Sequence, residues 1–171
     1  MSLLFLVGAL SVPAISTVAG NGDTTGTIAF AGGKLEYYIQ GTGVPCVVYN
    51  IPRLYQRLFS TELRKHAKLI FLDSRMSVPT VDSYDWRTVT MDTLVDDIEQ
   101  LRKILGFEKI CVIGHSLNGM IAVEYARKYP EHTSHVVMIG TPPFSKEEDS
   151  VSNAFWDSVA SNERKQNLKR N

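Results

Sequence analysis

The chain has 171 residues, 44% of them apolar, and its 18 Lys plus Arg are balanced by 18 Asp plus Glu. That length and composition suit one folded domain with its own core and exclude an intrinsically disordered chain. A formal net charge of zero leaves no overall field to draw in nucleic acid or anionic lipid, so a polyanion-binding function is set aside.

Residues 1–22 carry no charged side chain, and the apolar run Leu3 to Leu10 is followed by Pro13 and then small or hydroxyl residues up to Ala19. This is the pattern of an export signal, with Thr17 and Ala19 at the cleavage-site positions and Val12 and Ala14 as a second choice. Residues 1–19 are therefore read as a signal peptide or anchor, and Pro13 with the hydroxyl residues after it argues against a stable membrane span. A secreted or periplasmic location follows, with a membrane-anchored or cytoplasmic one as the alternative. Residues 20–26, GNGDTTG, read as a polar linker.

Thr27 to Phe30 and Lys34 to Gln40 read as the two strands of a hairpin around Gly32-Gly33. Pro45 to Tyr49 (PCVVY) is a short apolar run of the kind buried in a parallel sheet. A helix is expected next, opened by Pro52 and carrying Leu54, Tyr55, Leu58, Phe59 and Leu63 at three- and four-residue spacing. Lys68 to Asp73 reads as a strand and residues 74–88 as a polar loop. From Met91 to Leu105 the positions Leu94, Ile98, Leu101 and Leu105 make one helical face, Thr90 caps its start and Gly106 ends it.

Lys109 to Ile113 is a strand, Leu117 to Tyr129 a helix stopped by Pro130, and Ser134 to Ile139 a further strand. Strands alternating with helices predict an α/β fold, a mostly parallel doubly wound sheet with right-handed crossovers. Beyond Pro142-Pro143 the chain turns polar and acidic, Phe155, Trp156 and Val159 mark a short amphipathic helix, and the basic end reads as a solvated helix face. Cys46 and Cys111 both fall in strands and read as buried free thiols rather than a disulfide.

The chemistry concentrates at Cys111 to Met120, CVIGHSLNGM. A serine hydroxyl is a poor nucleophile unless a base takes its proton and donors stabilise the oxyanion that forms on attack. A strand that stops at Gly114 and restarts as a helix after Ser116 projects that hydroxyl from a sharp turn. It also sets the Leu117 N–H at a helix N-terminus, where negative charge is favoured. Strand and helix then approach so closely that the positions two before and two after the serine need small residues. Gly114 satisfies this, whereas Asn118 is larger than the pattern asks for. The turn matches neither a dinucleotide-binding glycine fingerprint nor a phosphate loop.

Gly114-His115-Ser116-Leu117-Asn118-Gly119 resembles the G-x-S-x-G nucleophile elbow of the α/β-hydrolase superfamily, in its Gly-His-Ser form. The resemblance runs from Thr27 to Val159 through the order of strands and helices, and Pro143 to Leu168 is similar to the helical lids of small-molecule hydrolases, including the proline iminopeptidase-like branch. It implies that residues 27–141 are the N-terminal part of a hydrolase core lacking its C-terminal strands, and that residues 142–171 begin a helical cap. Ser116 would be the nucleophile, and the backbone N–H groups of Leu117 and Ile51 the oxyanion donors. Tyr49 and Asn50 stand where the family has a His-Gly pair, and Asp73-Ser74-Arg75 matches a structural turn.

The implied function is a serine hydrolase acting on a small ester, amide or related substrate, with no cofactor, metal or nucleic-acid partner. The superfamily's triad acid and histidine come later in the chain order, and His66, His115, His132 and His135 each read as surface or packing residues. The chain is therefore expected to be incomplete and inactive as it stands. The alternative is a non-catalytic ligand-binding or interaction protein that keeps the same fold.

Overall fold

Apolar runs of five or six residues need cover on both faces, which a parallel strand inside a sheet obtains. The computed structural model describes residues 24–142 and 146–168, so the signal peptide or anchor read at residues 1–19 lies outside the described residues. The strands are β1 (Thr24–Phe30), β2 (Gly33–Gln40), β3 (Val44–Tyr49), β4 (Ala67–Leu72), β5 (Ile110–His115) and β6 (Thr133–Ile139). They form one six-stranded sheet in the order β1-β2-β4-β3-β5-β6. Neighbours among β4, β3, β5 and β6 run parallel, while β1 and β2 add an antiparallel hairpin. The mostly parallel α/β sheet expected from the sequence is therefore present.

β1 begins three residues earlier than the sequence suggested, taking Thr24 to Gly26 out of the linker. These residues pair with Ile39, Tyr38 and Tyr37 of β2. Gly26 is needed there because a Cβ would stand 2.2 Å from the Tyr37 hydroxyl.

A larger departure follows β3. The helix expected from Pro52 onward is a single turn, α1 (Pro52–Tyr55), followed by turns and a 3-10 turn at Leu63–Lys65. The cause is Arg64, whose guanidinium donates to the carbonyls of Gln56 and Phe59, two acceptors that a continuing helix would offer to its own N–H groups. Ser60 Oγ then takes the Leu63 N–H. The periodicity survives as packing only in part: Tyr55 and Phe59 join the core, while Leu54 and Leu58 are exposed.

α2 (Met91–Ile104) forms as its pattern requires, with Thr90 and Thr93 in a reciprocal capping box and Gly106 at φ 69 after its end. α3 (Asn118–Lys128) follows β5. α2 and α3 cover one face of the sheet, where Leu94, Ile98, Leu101, Ile121 and Tyr125 meet Val47, Ile70 and Val112. Each such side chain contributes about 1.5–3 kcal/mol by leaving water. α1 and Phe59 cover the other face, over Cys46, Phe71 and Cys111. At the end of the sheet, Val137, Met138 and Ile139 of β6 are exposed.

A second compact unit begins at Pro142. It contains α4 (Lys146–Val159) and α5 (Asn162–Leu168); α4 starts well before the Phe155–Val159 segment that marked it in the sequence. Within this unit Ser161 Oγ caps the Arg164 N–H and Arg164 lies over the Trp156 ring. No helix among the described residues is long and apolar enough to cross a membrane.

Candidate active site

β3 and β5 are parallel neighbours with Val48 registered against Ile113. Three residues past each partner come Ile51 and Ser116, so both emerge at the same carboxyl edge of the sheet. Because α1 and α2 lie on opposite faces, that edge is the crevice in which doubly wound sheets hold ligands.

β5 ends at His115 and α3 starts at Asn118, which leaves Ser116 and Leu117 for the turn. Ser116 adopts φ 55, a left-handed conformation that costs a non-glycine residue about 1–2 kcal/mol. Two hydrogen bonds hold it there, from Ser116 N–H to the Ile139 carbonyl at 2.9 Å and from Gly119 N–H to the Ser116 carbonyl at 3.0 Å. Ser116 is exposed, and among the described residues no histidine or carboxylate hydrogen-bonds to it.

The close approach of strand and helix falls partly where the sequence placed it. A Cβ on Gly114 would stand 2.1 Å from the Asn118 carbonyl oxygen, so Gly114 is required. The second obligatory small residue is Gly119, where a Cβ would stand 1.8 Å from Thr141 Oγ1. Asn118 is half-buried at the first position of α3 and fits without shrinking. The expectation of a small residue at position 118 is corrected by one place.

On the facing strand, Asn50 takes φ 91 and Ile51 φ 41. Asparagine tolerates the left-handed region, whereas a β-branched residue there is an outlier. Asn50 is held from below, its N–H donating to the Leu72 carbonyl at 2.9 Å and its Oδ1 accepting from Ser77 Oγ at 2.8 Å, while the Ile51 carbonyl accepts the N–H groups of Leu54 and Tyr55 at the start of α1. Tyr49 is buried and donates to Ser74 Oγ at 3.1 Å; burial pushes its pKa up. Among the described residues neither the Ile51 nor the Leu117 N–H has a backbone acceptor.

His115 contributes something its sequence position did not announce. Its Nδ1 hydrogen-bonds the Tyr55 hydroxyl at 2.9 Å, tying the Ser116 turn to α1. The other histidines lie elsewhere: His66 ends the 3-10 turn near Glu62, His132 is beside Glu99, and His135 sits in β6.

Asp73-Ser74-Arg75 is a structural turn. Asp73 Oδ2 accepts the Glu36 N–H, and Arg75 makes a two-pronged pair with the buried Asp97 of α2, both contacts at 2.7 Å. Burial raises the Asp97 pKa against the opposing pull of Arg75. A second buried charge cluster joins α2 to α3. Glu99 is 2% exposed and accepts from Arg102 at 2.7 and 2.8 Å and from the Tyr125 hydroxyl at 2.9 Å. Burial works against the Glu99 carboxylate, yet these donors hold its pKa at about 2.

A groove of about 520 Å³ opens beside Ile51, lined among others by Lys34, Glu36, Tyr38, Arg53 and Asp73. Ser116 is not among its lining residues. No group of three or more His, Cys, Asp or Glu placed to hold a metal occurs among the described residues.

Comparison with known proteins decides the family. The family described as alpha/beta hydrolase fold matches residues 44–165, which take in β3, the turn at Ser116 and β6. The chain belongs to the α/β hydrolase fold family. An AB hydrolase superfamily protein of Bacillus subtilis (strain 168) is 32% identical to this hydrolase-fold chain over 140 residues, covering 81% of the chain and 50% of that protein. A proline iminopeptidase of Flavobacterium johnsoniae is 30% identical over 115 residues, covering 64% of the chain and 38% of the enzyme. Among solved structures, a proline iminopeptidase-related protein from Thermus thermophilus superposes with a TM-score of 0.57 at 22% identity, over 68% of this chain and 44% of that one. The hydrolase-fold chain thus spans half or less of the length of these relatives, and its homology extends to proline iminopeptidases.

Proposed function

We propose that the chain carries the nucleophile and oxyanion hole of a serine hydrolase that acts on a small ester, amide or related substrate. The Ser116 backbone at φ 55 supports this reading most strongly, since strain of this kind is retained where the surrounding structure imposes it and clusters at reactive sites. Homology to proline iminopeptidases supports an amide among the substrates.

In this reading Ser116 Oγ attacks the carbonyl carbon and releases its proton to solvent water, the carbonyl π pair moves onto oxygen, and the resulting oxyanion accepts hydrogen bonds from the N–H groups of Leu117 and Ile51. Each such donor contributes about 2.7–4 kcal/mol to the transition state of acyl transfer. Nucleophile and donors are assigned here; the base and triad acid are not. A serine hydroxyl with oxyanion donors but no assigned base is a weak nucleophile, so slow acylation of Ser116 and little turnover of p-nitrophenyl acetate are expected. The test is a fluorophosphonate probe, which should label Ser116 and spare Ser116→Ala.

A second reading, a non-catalytic ligand-binding protein of the same fold, is favoured by one observation. The groove beside Ile51 carries Lys34, Arg53, Glu36 and Asp73 yet is not lined by Ser116. Absence of labelling in a folded chain selects it. Export directed by residues 1–19 is a separate proposal; recovery of the protein from the cytoplasm with Met1 intact overturns it.

A further inference from the structure

Cys46 on β3 and Cys111 on β5 are registered partners across two parallel strands. In that relationship the two Cβ atoms point to the same face, and the backbones lie roughly 4.7–4.9 Å apart, inside the Cα separation of about 4.4–6.8 Å that disulfides adopt. Both side chains belong to the apolar cluster beneath Tyr55 and Phe59, and both are free thiols.

The face above them is thinly covered, because α1 is a single turn. Cys46 and Cys111 keep 7% and 5% exposure, whereas Leu69, the β4 partner of Cys46, has none. Cys46 Sγ donates to the Val44 carbonyl at 3.4 Å; the neighbouring Cys111 holds the Cys46 pKa below its ordinary value, while the proximity of Cys46, with burial, pushes that of Cys111 up. Cys46 is therefore the thiol better placed to attack first.

We propose that Cys46 and Cys111 form a reversible cross-strand disulfide by exchange with a low-molecular-weight disulfide. The Cys46 thiolate attacks one sulfur of the small disulfide; that S–S bond breaks, and the departing thiolate takes up the proton Cys46 released. Cys111 then loses its proton and attacks the Cys46 sulfur of the mixed disulfide, expelling the second small thiol, which carries that proton away. The protein dithiol is oxidised by two electrons, and one small disulfide becomes two thiols.

The position of this bond gives it a consequence for the site. Cys46 lies five residues before Ile51, and Cys111 lies five residues before Ser116. The crosslink fastens the two strands whose ends carry both residues, and so fixes their spacing.

The test is intact-mass analysis of the full, folded chain after incubation with oxidised glutathione. The expected product is a monomer lighter by two hydrogen atoms, giving one linked peptide pair containing Cys46 and Cys111, restored by dithiothreitol. Cys111→Ser should instead retain one glutathione on Cys46. Two thiols left unchanged, glutathione adducts or intermolecular dimers in place of the internal bond, or a crosslink that forms only after unfolding in urea would each overturn the proposal. These outcomes are independent of whether Ser116 reacts with fluorophosphonate.

Discussion

The Tyr55 hydroxyl and His115 Nδ1 stand 2.9 Å apart, joining the single turn of α1 to the turn that carries Ser116. α1 begins directly after Ile51, so this bond couples the two backbone segments proposed to hold the oxyanion. Tyr55→Phe keeps the ring against the core and removes only the hydroxyl. The expected loss is about 1 kcal/mol of stability, read by urea denaturation, with slower fluorophosphonate labelling of Ser116. A stability loss with an unchanged labelling rate would leave Tyr55 a packing residue alone.

Gly114 and Gly119 are predicted to be irreplaceable to different degrees. At Gly119 an added methyl meets the Oγ1, Cβ and Cγ2 atoms of Thr141, and overpacking of this kind costs about 1–3 kcal/mol. At Gly114 it meets the backbone of Asn118 and Gly119, which cannot move without displacing the start of α3. Gly114→Ala should therefore be the more destabilising in thermal denaturation, and Asn118→Gly should leave the fold intact. Equal tolerance of both alanine variants would refute the close strand-helix contact.

Ser116 gives a direct measure of the strain in the turn. Alanine inherits the left-handed conformation, whereas glycine adopts it freely. Ser116→Gly should be more stable than Ser116→Ala by about 1 kcal/mol, the reverse of the order found in an ordinary helix or strand. Both variants should be unreactive toward the probe. The comparison is made by chemical denaturation, and an alanine variant as stable as the glycine one would remove the evidence for strain.

The Glu99 cluster predicts acid sensitivity. Its folded pKa of about 2 lies below the ordinary value of 4.5, so the stabilisation is fully present above about pH 4.5 and is lost as pH falls toward 2. The amount is about 3 kcal/mol. Denaturation curves from pH 7 down to pH 2.5 should show Glu99→Gln already weakened at pH 7 and converging on the unsubstituted chain in acid. Parallel curves at all pH values would place the acid sensitivity elsewhere.

The succession of strands along the chain and the turn at Ser116 were legible because apolar runs and a glycine beside a serine are local patterns, whereas the sheet order β1-β2-β4-β3-β5-β6 was not. α2 was equally clear, since Thr90, the apolar face and Gly106 all specify the same boundaries. The helix after Pro52 was misread because the carbonyl ligands of Arg64 come from chain folded back upon itself, which no window of periodicity registers. The role of Gly119 was missed for a related reason: the obstacle is Thr141, 22 positions downstream. The Cys46–Cys111 register and the Glu99–Tyr125 bond likewise exist only once strands and helices are side by side.

Peptide mapping of the folded chain after reaction with a fluorophosphonate probe tests the nucleophilic role of Ser116 most directly. A slow, single modification on the peptide containing Ser116, absent from Ser116→Ala, is the expected result. A folded chain that stays unmodified, or one labelled equally with and without the Ser116 hydroxyl, would contradict it.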